Sequence, residues 1–193
     1  RAEKGTWSLN LNVPKNRIPI FVVVAMLALA ADLGSKEAAF RTLGLGGHSR
    51  LLIDSWVKFE FLTNLNHGAL WGMGQGLAPV FALLSVGALI GIIYWLFFCD
   101  AASSLWITIA LALVSGGTLG NLYDRLGLHG VHAQDSSKPA LAVRDFLHFQ
   151  FGNYDYPIFN IADSCLVVGA IMLVLQSLKP VPKDELAEAK PAS

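Results

Sequence analysis

The chain has 193 residues, 54% of them hydrophobic and 15% charged, with zero net charge and a mean hydropathy of +0.52. An ordinary soluble domain carries about 25% charged residues, so the composition argues against a soluble fold, and the balanced charge gives no reason to expect a nucleic-acid partner. The charges are also unevenly placed: 61–99 and 101–123 contain no Asp, Glu, Lys or Arg.

Residues 1–17 are polar, and the apolar run that follows lacks a small-residue cleavage site, so no cleavable signal peptide is expected. A membrane span needs about 20 apolar residues. Four are predicted, at about 17–35, 77–98, 103–123 and 157–178, with Asp32 and Asp163 admitted at span ends. Pro79 suits the first turn of the second span, and Asp100 or Ser103 is placed to cap the third. Gly87/Gly91 and Gly116/Gly120 have the four-residue spacing of close helix packing. The tail 179–193 is charged and Pro-bounded, and reads as a frayed end. Cys99 and Cys165 lie at or within apolar segments and are expected neither in a disulfide nor on a metal.

Alternating membrane crossings put both long connections, about 36–76 and 124–156, on one face, and both termini with one tight turn on the other. Lys and Arg number seven on each side, but the loop side has about twice the residues. Charge density, with Lys15 and Arg17 just before the first span, favours cytoplasmic termini. Within the loops, WVKFEFL (56–62) and VRDFLHFQF (143–151) alternate as half-buried strands do, predicting a small sheet on the membrane, and Gly152-Asn153 turns the chain towards the fourth span. The expected fold is a single membrane-embedded domain over 1–193: a polytopic all-α protein of four transmembrane helices with a small extracytoplasmic sheet and loop region.

Polar residues converge on the loop face. The first span ends with Asp32 and Lys36, four apart and on one helical face. Asn66 and Gly68 in NHGALWG precede the second. Asn121, Asp124 and Arg125 in GGTLGNLYDR end the third. Asp145 lies in the second loop, and Asn160 and Asp163 open the fourth span. Carboxyls this close to the hydrocarbon are costly and are read as functional. Asp32–Lys36 reads as an ion pair anchoring a helix end, and Asp124 as paired with Arg125. Asp163, with apolar neighbours and no basic one, is the leading catalytic candidate. A helix beginning at 157 would set Asp163 about 9 Å along its axis, one turn below Asn160. Asn121 and Asp124 repeat that relation, each amide able to orient a carboxylate.

The spacing alone leaves open whether Asp124 or Asp145 is the partner of Asp163. Two close carboxyls share a proton, so one can draw a proton from water and the other can assist the carbonyl oxygen and leaving amine of a peptide, with no metal or cofactor. His129, His132 and Asp135 are loosely spaced for a metal but sit in a Gly-containing loop and are not read as a site. His67 and His148 read as unpartnered, and neither a nucleophile elbow nor a phosphate-binding loop is present. The rival reading is a small proton-coupled transporter using the same acids as a relay. That reading expects acids through the membrane and broken helices, whereas here the span middles are bare.

The motifs DLGSK (32–36), NHGA (66–69), GGTLGNLYDR (116–125), VRDF (143–146) and FNIADS (159–164) together resemble the lipoprotein signal peptidase (signal peptidase II) family. They occur in its order and at four matching span ends. The resemblance implies an aspartyl endopeptidase of the bacterial inner membrane. It would remove signal peptides from prolipoproteins just before a diacylglyceryl-modified cysteine, with its site near the outer face among the membrane lipids. It further implies that Asp145 and Asp163 form the catalytic dyad. Asp124 and Asn121 would then orient the site, Arg125 and Asn66 would hold the substrate backbone, and Asp32, Lys36 and Asn160 would support. Arg144 stands where the family usually has an apolar residue; on a strand its side chain leaves the face bearing Asp145, so it is expected to be tolerated. The segment 126–142 is longer than usual and reads as a passive surface loop, and Leu70-Trp71 departs mildly from the family's small-then-Phe ending.

Overall fold

A computed structural model describes residues 13–68, 74–133 and 137–178. Leu70-Trp71, Asp135 and the tail 179–193 lie outside these. Three helices are long and apolar enough to cross a membrane: α1 (Arg17–Leu43), α2 (Ala78–Phe98) and α3 (Leu105–Arg125). A fourth, α4 (Ile161–Ser177), is shorter. Strands β1 (Ile53–Asp54), β2 (Val57–Asn66), β3 (Val143–Phe151) and β4 (Tyr154–Asp155) form one antiparallel sheet in chain order.

The helix limits differ from the expected ones for local reasons. α1 runs two turns past Ser35, because Lys36 and Phe40 continue its buried face. It stops where Gly44 takes a positive φ (72°) with extended ψ, a conformation open to glycine, and its N–H meets the Phe40 carbonyl. Pro79 does sit in the first turn of α2. The cap of α3 is Ser104, whose side chain accepts from the Ile107 N–H, and not Asp100 or Ser103. α4 starts four residues later than expected, since Phe159 pairs with Leu147 of β3 and holds the preceding segment extended. Its 17 residues span about 26 Å. Asp163 is therefore in the first turn, and Asn160 is the N-cap instead of a residue one turn above it.

α3 is the central helix, packed on α1 and α4 through positions without side chains. A Cβ at Gly116 would press on the Ala25 carbonyl, and one at Gly117 on the Ala162 carbonyl. At Gly120 it would overlap the Asp32 carboxylate. Such approach is how helices associate where no hydrophobic drive separates them from lipid. The similarly spaced Gly87 and Gly91 of α2 do not pack: a Cβ at either meets nothing within 4 Å. α2 packs chiefly on α3, meets α1 through the edge-on contact of Phe97 with Phe21, and leaves Leu83, Leu84 and Ile90 exposed.

The sheet carries a decisive irregularity. Phe59 pairs with Phe149 and Phe61 with Leu147, but Asn64 pairs with Asp145 and Asn66 with Val143, so β2 holds one extra residue between Phe61 and Asn64. A bulge of this kind exchanges the two faces of the strand beyond it. The face that carries Phe59 and Phe61 therefore continues with Asn64 and Asn66, opposite Asp145. Thr63, buried at the bulge, donates to the Gly44 carbonyl and accepts from the Gly47 N–H, tying the bulge to the turn after α1. The sheet also partners His148, which faces Glu60 across the strands at 3.1 Å.

Candidate active site

α1, the end of α3, the start of α4 and strands β2 and β3 bring the ten sequence-predicted site residues together in two layers. The inner layer holds Asp32, Lys36 and Asp124, all fully buried. Lys36 Nζ lies 2.7 Å from Asp32 Oδ2, 3.1 Å from Asp124 Oδ2 and 2.9 Å from Asn121 Oδ1. An ammonium has three donors, and each has an acceptor here. The other Asp32 oxygen accepts the Ala162 N–H at 2.8 Å, satisfying an otherwise open donor in the first turn of α4. Asp124 does not pair with Arg125, as expected from their adjacency. Its Oδ1 lies 3.0 Å from Arg144 Nη2, and its Oδ2 accepts the Arg144 backbone N–H at 2.9 Å.

The outer layer holds Asp145, buried, and Asp163, half-buried. Neither makes a salt bridge with a described cation; both are held by amides. Asn160 Nδ2 donates to Asp145 Oδ1 at 2.6 Å, Asn66 Nδ2 to Asp145 Oδ2 at 3.0 Å, and Asn121 Nδ2 to Asp163 Oδ1 at 2.9 Å. The orientation of each amide follows from a partner that can only donate. Lys36 fixes the oxygen of Asn121, the Gly68 N–H fixes that of Asn66, and the Asp163 N–H fixes that of Asn160. All three NH2 groups are thereby aimed at the two carboxyls. Asn160 and Asp163 form a capping box, the Asp163 carboxylate accepting the Asn160 N–H at 3.2 Å. The two Asn-x-x-Asp patterns thus do not pair amide with carboxylate inside each helix: Asn121 reaches across to Asp163, and Asn160 across to Asp145.

Burial, helped by the charge of Asp163, pushes the Asp145 carboxyl from its ordinary 3.8 up to about 7, against the lowering effect of the Asn160 and Asn66 hydrogen bonds. Asp145 and Asp163 both line a cavity of about 580 Å³ together with Asn66, Gly68, Asn121 and Arg125. Arg125 lies over the Phe81 ring, 5.4 Å from its centroid. The far wall is apolar, from Ile158, Leu166, Val167 and Val168, and Ser85 of α2 closes another side. Asp32, Lys36, Asp124 and Asn160 stand behind the cavity without lining it. Sequence reasoning expected Arg144 merely to be tolerated on the face away from Asp145; it is buried there in the inner layer, paired with Asp124 and Glu37. The available signal was an arginine in the buried half of a strand, which requires a carboxylate partner.

Residues 24–179 match the family model of Signal peptidase (SPase) II. A lipoprotein signal peptidase of Rhodopirellula baltica is 45% identical over 178 residues, covering 89% of this chain and 77% of its own length. One of Bacillus subtilis is 35% identical over 159 residues, covering 82% and 93%. The fold is similar to that of a bacterial membrane enzyme determined by the in meso method at 2.3 Å resolution, with a TM-score of 0.69 and 26% identity over 91% of this chain and 94% of that one. The chain belongs to the lipoprotein signal peptidase (signal peptidase II) family of aspartic peptidases, multi-pass enzymes of bacterial membranes.

Proposed function

We propose that this enzyme cleaves prolipoprotein signal peptides just before a diacylglyceryl-modified cysteine, using water activated between Asp145 and Asp163. The observation that carries the reading is the convergence of three oriented amides on two carboxyls that make no salt bridge with a described cation, at the wall of a cavity with an apolar side. Asp145, its carboxyl pushed up to about 7, is the member of the pair that carries the proton. Asp163 sits in the first turn of α4, where the helix end carries partial positive charge, and serves as the base. Asp163 takes a proton from water, the water oxygen attacks the scissile carbonyl carbon, and the Asp145 proton passes to the carbonyl oxygen. Collapse of that tetrahedral species returns a proton to the leaving amine and restores the dyad.

Arg125 and Asn66, at the cavity edge, hold the substrate backbone, with Gly68 leaving room beside them. Ile158 and Leu166–Val168 accept the apolar part of the anchored substrate. Both termini lie in the cytoplasm and the site near the outer face, with α4 as the fourth crossing. The test is digestion of a propeptide with and without its diacylglyceryl group, read by mass. The lipidated peptide should yield a single product beginning at the modified cysteine. Cleavage elsewhere, or equal turnover of the unlipidated peptide, overturns the substrate assignment.

A further inference from the structure

We infer that Arg144 is a positioning residue for Asp145, gripping both helices behind the site and so fixing the strand residue next to the reacting carboxyl. The inference rests on the dyad proposed above. Arg144 is 1% exposed, and its partners come from two helices. On α3, Asp124 holds it twice: one carboxylate oxygen accepts the backbone N–H at 2.9 Å, and the other lies 3.1 Å from Nε and 3.0 Å from Nη2. On α1, Glu37 Oε2 lies 3.0 Å from Nη1, and the guanidinium stands 6.0 Å from the Phe40 ring centroid. A planar fork engaged by two carboxylates fixes direction as well as distance, which an ammonium cannot do. The main chain of Arg144 leads directly into Asp145. A grip on both its peptide N–H and its side chain therefore constrains where the Asp145 carboxyl begins.

The charges alternate from Asp32 through Lys36, Asp124, Arg144 and Glu37 to Arg41. Arg144 links the buried part of this chain to its exposed end. Without it, Asp124 keeps Lys36 as its only cation among the described residues, and Glu37 loses its tie to β3. Arg144 does not line the cavity, so it acts on the reaction through the residues it holds, most directly through Asp145, the next residue of the strand.

The test is steady-state cleavage of a lipidated propeptide by purified Arg144→Leu, Arg144→Lys, Glu37→Gln and the Arg144→Leu/Glu37→Gln double variant, assayed well below their melting temperatures, with Asp145→Asn as control. Arg144→Leu should lower kcat about 10- to 100-fold with KM within about twofold, the signature of a misplaced catalytic group. Arg144→Lys should recover part of the loss. Glu37→Gln, at a half-exposed surface position, should lower kcat by a smaller factor and add nothing in the double variant. Wild-type kcat in a folded Arg144→Leu overturns the inference, as does a rise in KM alone. If Arg144→Leu does not fold, unchanged kcat in Glu37→Gln overturns it instead. Activity retained in Asp145→Asn would sink the dyad itself, a separate failure.

Discussion

Four aspartates meet at one end of this helix bundle, and they are held in two different ways. Asp32 and Asp124 are met by Lys36 and Arg144 in salt bridges of 2.7–3.1 Å and stand behind the cavity. Asp145 and Asp163 are met by the neutral amides of Asn66, Asn121 and Asn160 and line it. A cation in contact ties a carboxylate into a salt-bridge network with fixed geometry; an amide directs its oxygens and brings no opposing charge. The inner pair is thus suited to rigid support and the outer pair to proton transfer. Asn121 couples the two layers, its oxygen on Lys36 and its NH2 on Asp163.

The strongest way to break this comparison is to neutralise one aspartate at a time. Asp145→Asn and Asp163→Asn should each lower the turnover of a lipidated propeptide by at least about 10³-fold, the scale of a lost general acid or base. Both should remain folded. If either purified variant cleaves at a near-native rate, the outer layer is not the reacting one.

The second effect is on stability and has the opposite address. Lys36→Met leaves Asp32 and Asp124 facing each other with one ammonium fewer, in a site with no access to solvent. Breaking a buried ion pair from one side costs about 3–5 kcal/mol, so unfolding in detergent should shift by that amount. A Lys36→Met protein as stable as wild type would mean that the inner network holds nothing together.

Much of this contrast was legible in the chain itself. The charge-free runs contained α2 and nearly all of α3, the alternation in VRDFLHFQF matched β3 residue for residue, and all ten candidate residues proved to be neighbours. What was hidden depended on contacts between distant segments. The bulge that turns Asn66 towards Asp145 is set by Thr63 against the Gly44–Gly47 turn, which strand periodicity cannot register. The late start of α4 follows from Phe159 pairing with β3, although Pro157 looked like the first turn of a helix. Asp124 chose Arg144 over its neighbour Arg125, because consecutive helix positions do not face each other. Arg144 itself looked idle, since its second partner, Glu37, is 107 residues away.

A smaller effect separates the layers by pH. In the folded protein Asp145 binds its proton up to about 7, and in the unfolded chain only to its ordinary 3.8. The stability linked to this group is fully present below the unfolded value and is lost as pH rises through the folded one. Asp145→Asn removes that dependence. Between pH 5 and pH 8 the wild-type melting temperature should therefore fall further than that of the variant. Equal falls would show that Asp145 is not the buried proton holder.

The smallest effect sharpens the role of the amides. Hydrogen bonds from Asn160 and Asn66 lower the proton affinity of Asp145, working against burial and the Asp163 charge. Asn66→Ala removes one of these donors and leaves Asn160 and the whole inner layer in place. If Asp145 must be protonated for turnover, kcat falls as pH rises through the upper macroscopic pKa of the coupled pair. Losing the Asn66 donor stabilises the protonated form, so the alkaline limb of the kcat profile should move upward. Rates well below that limb should change less than those on it. A limb that stays in place, or moves down, would mean that Asn66 serves only the substrate and leaves the carboxyl beside it untuned.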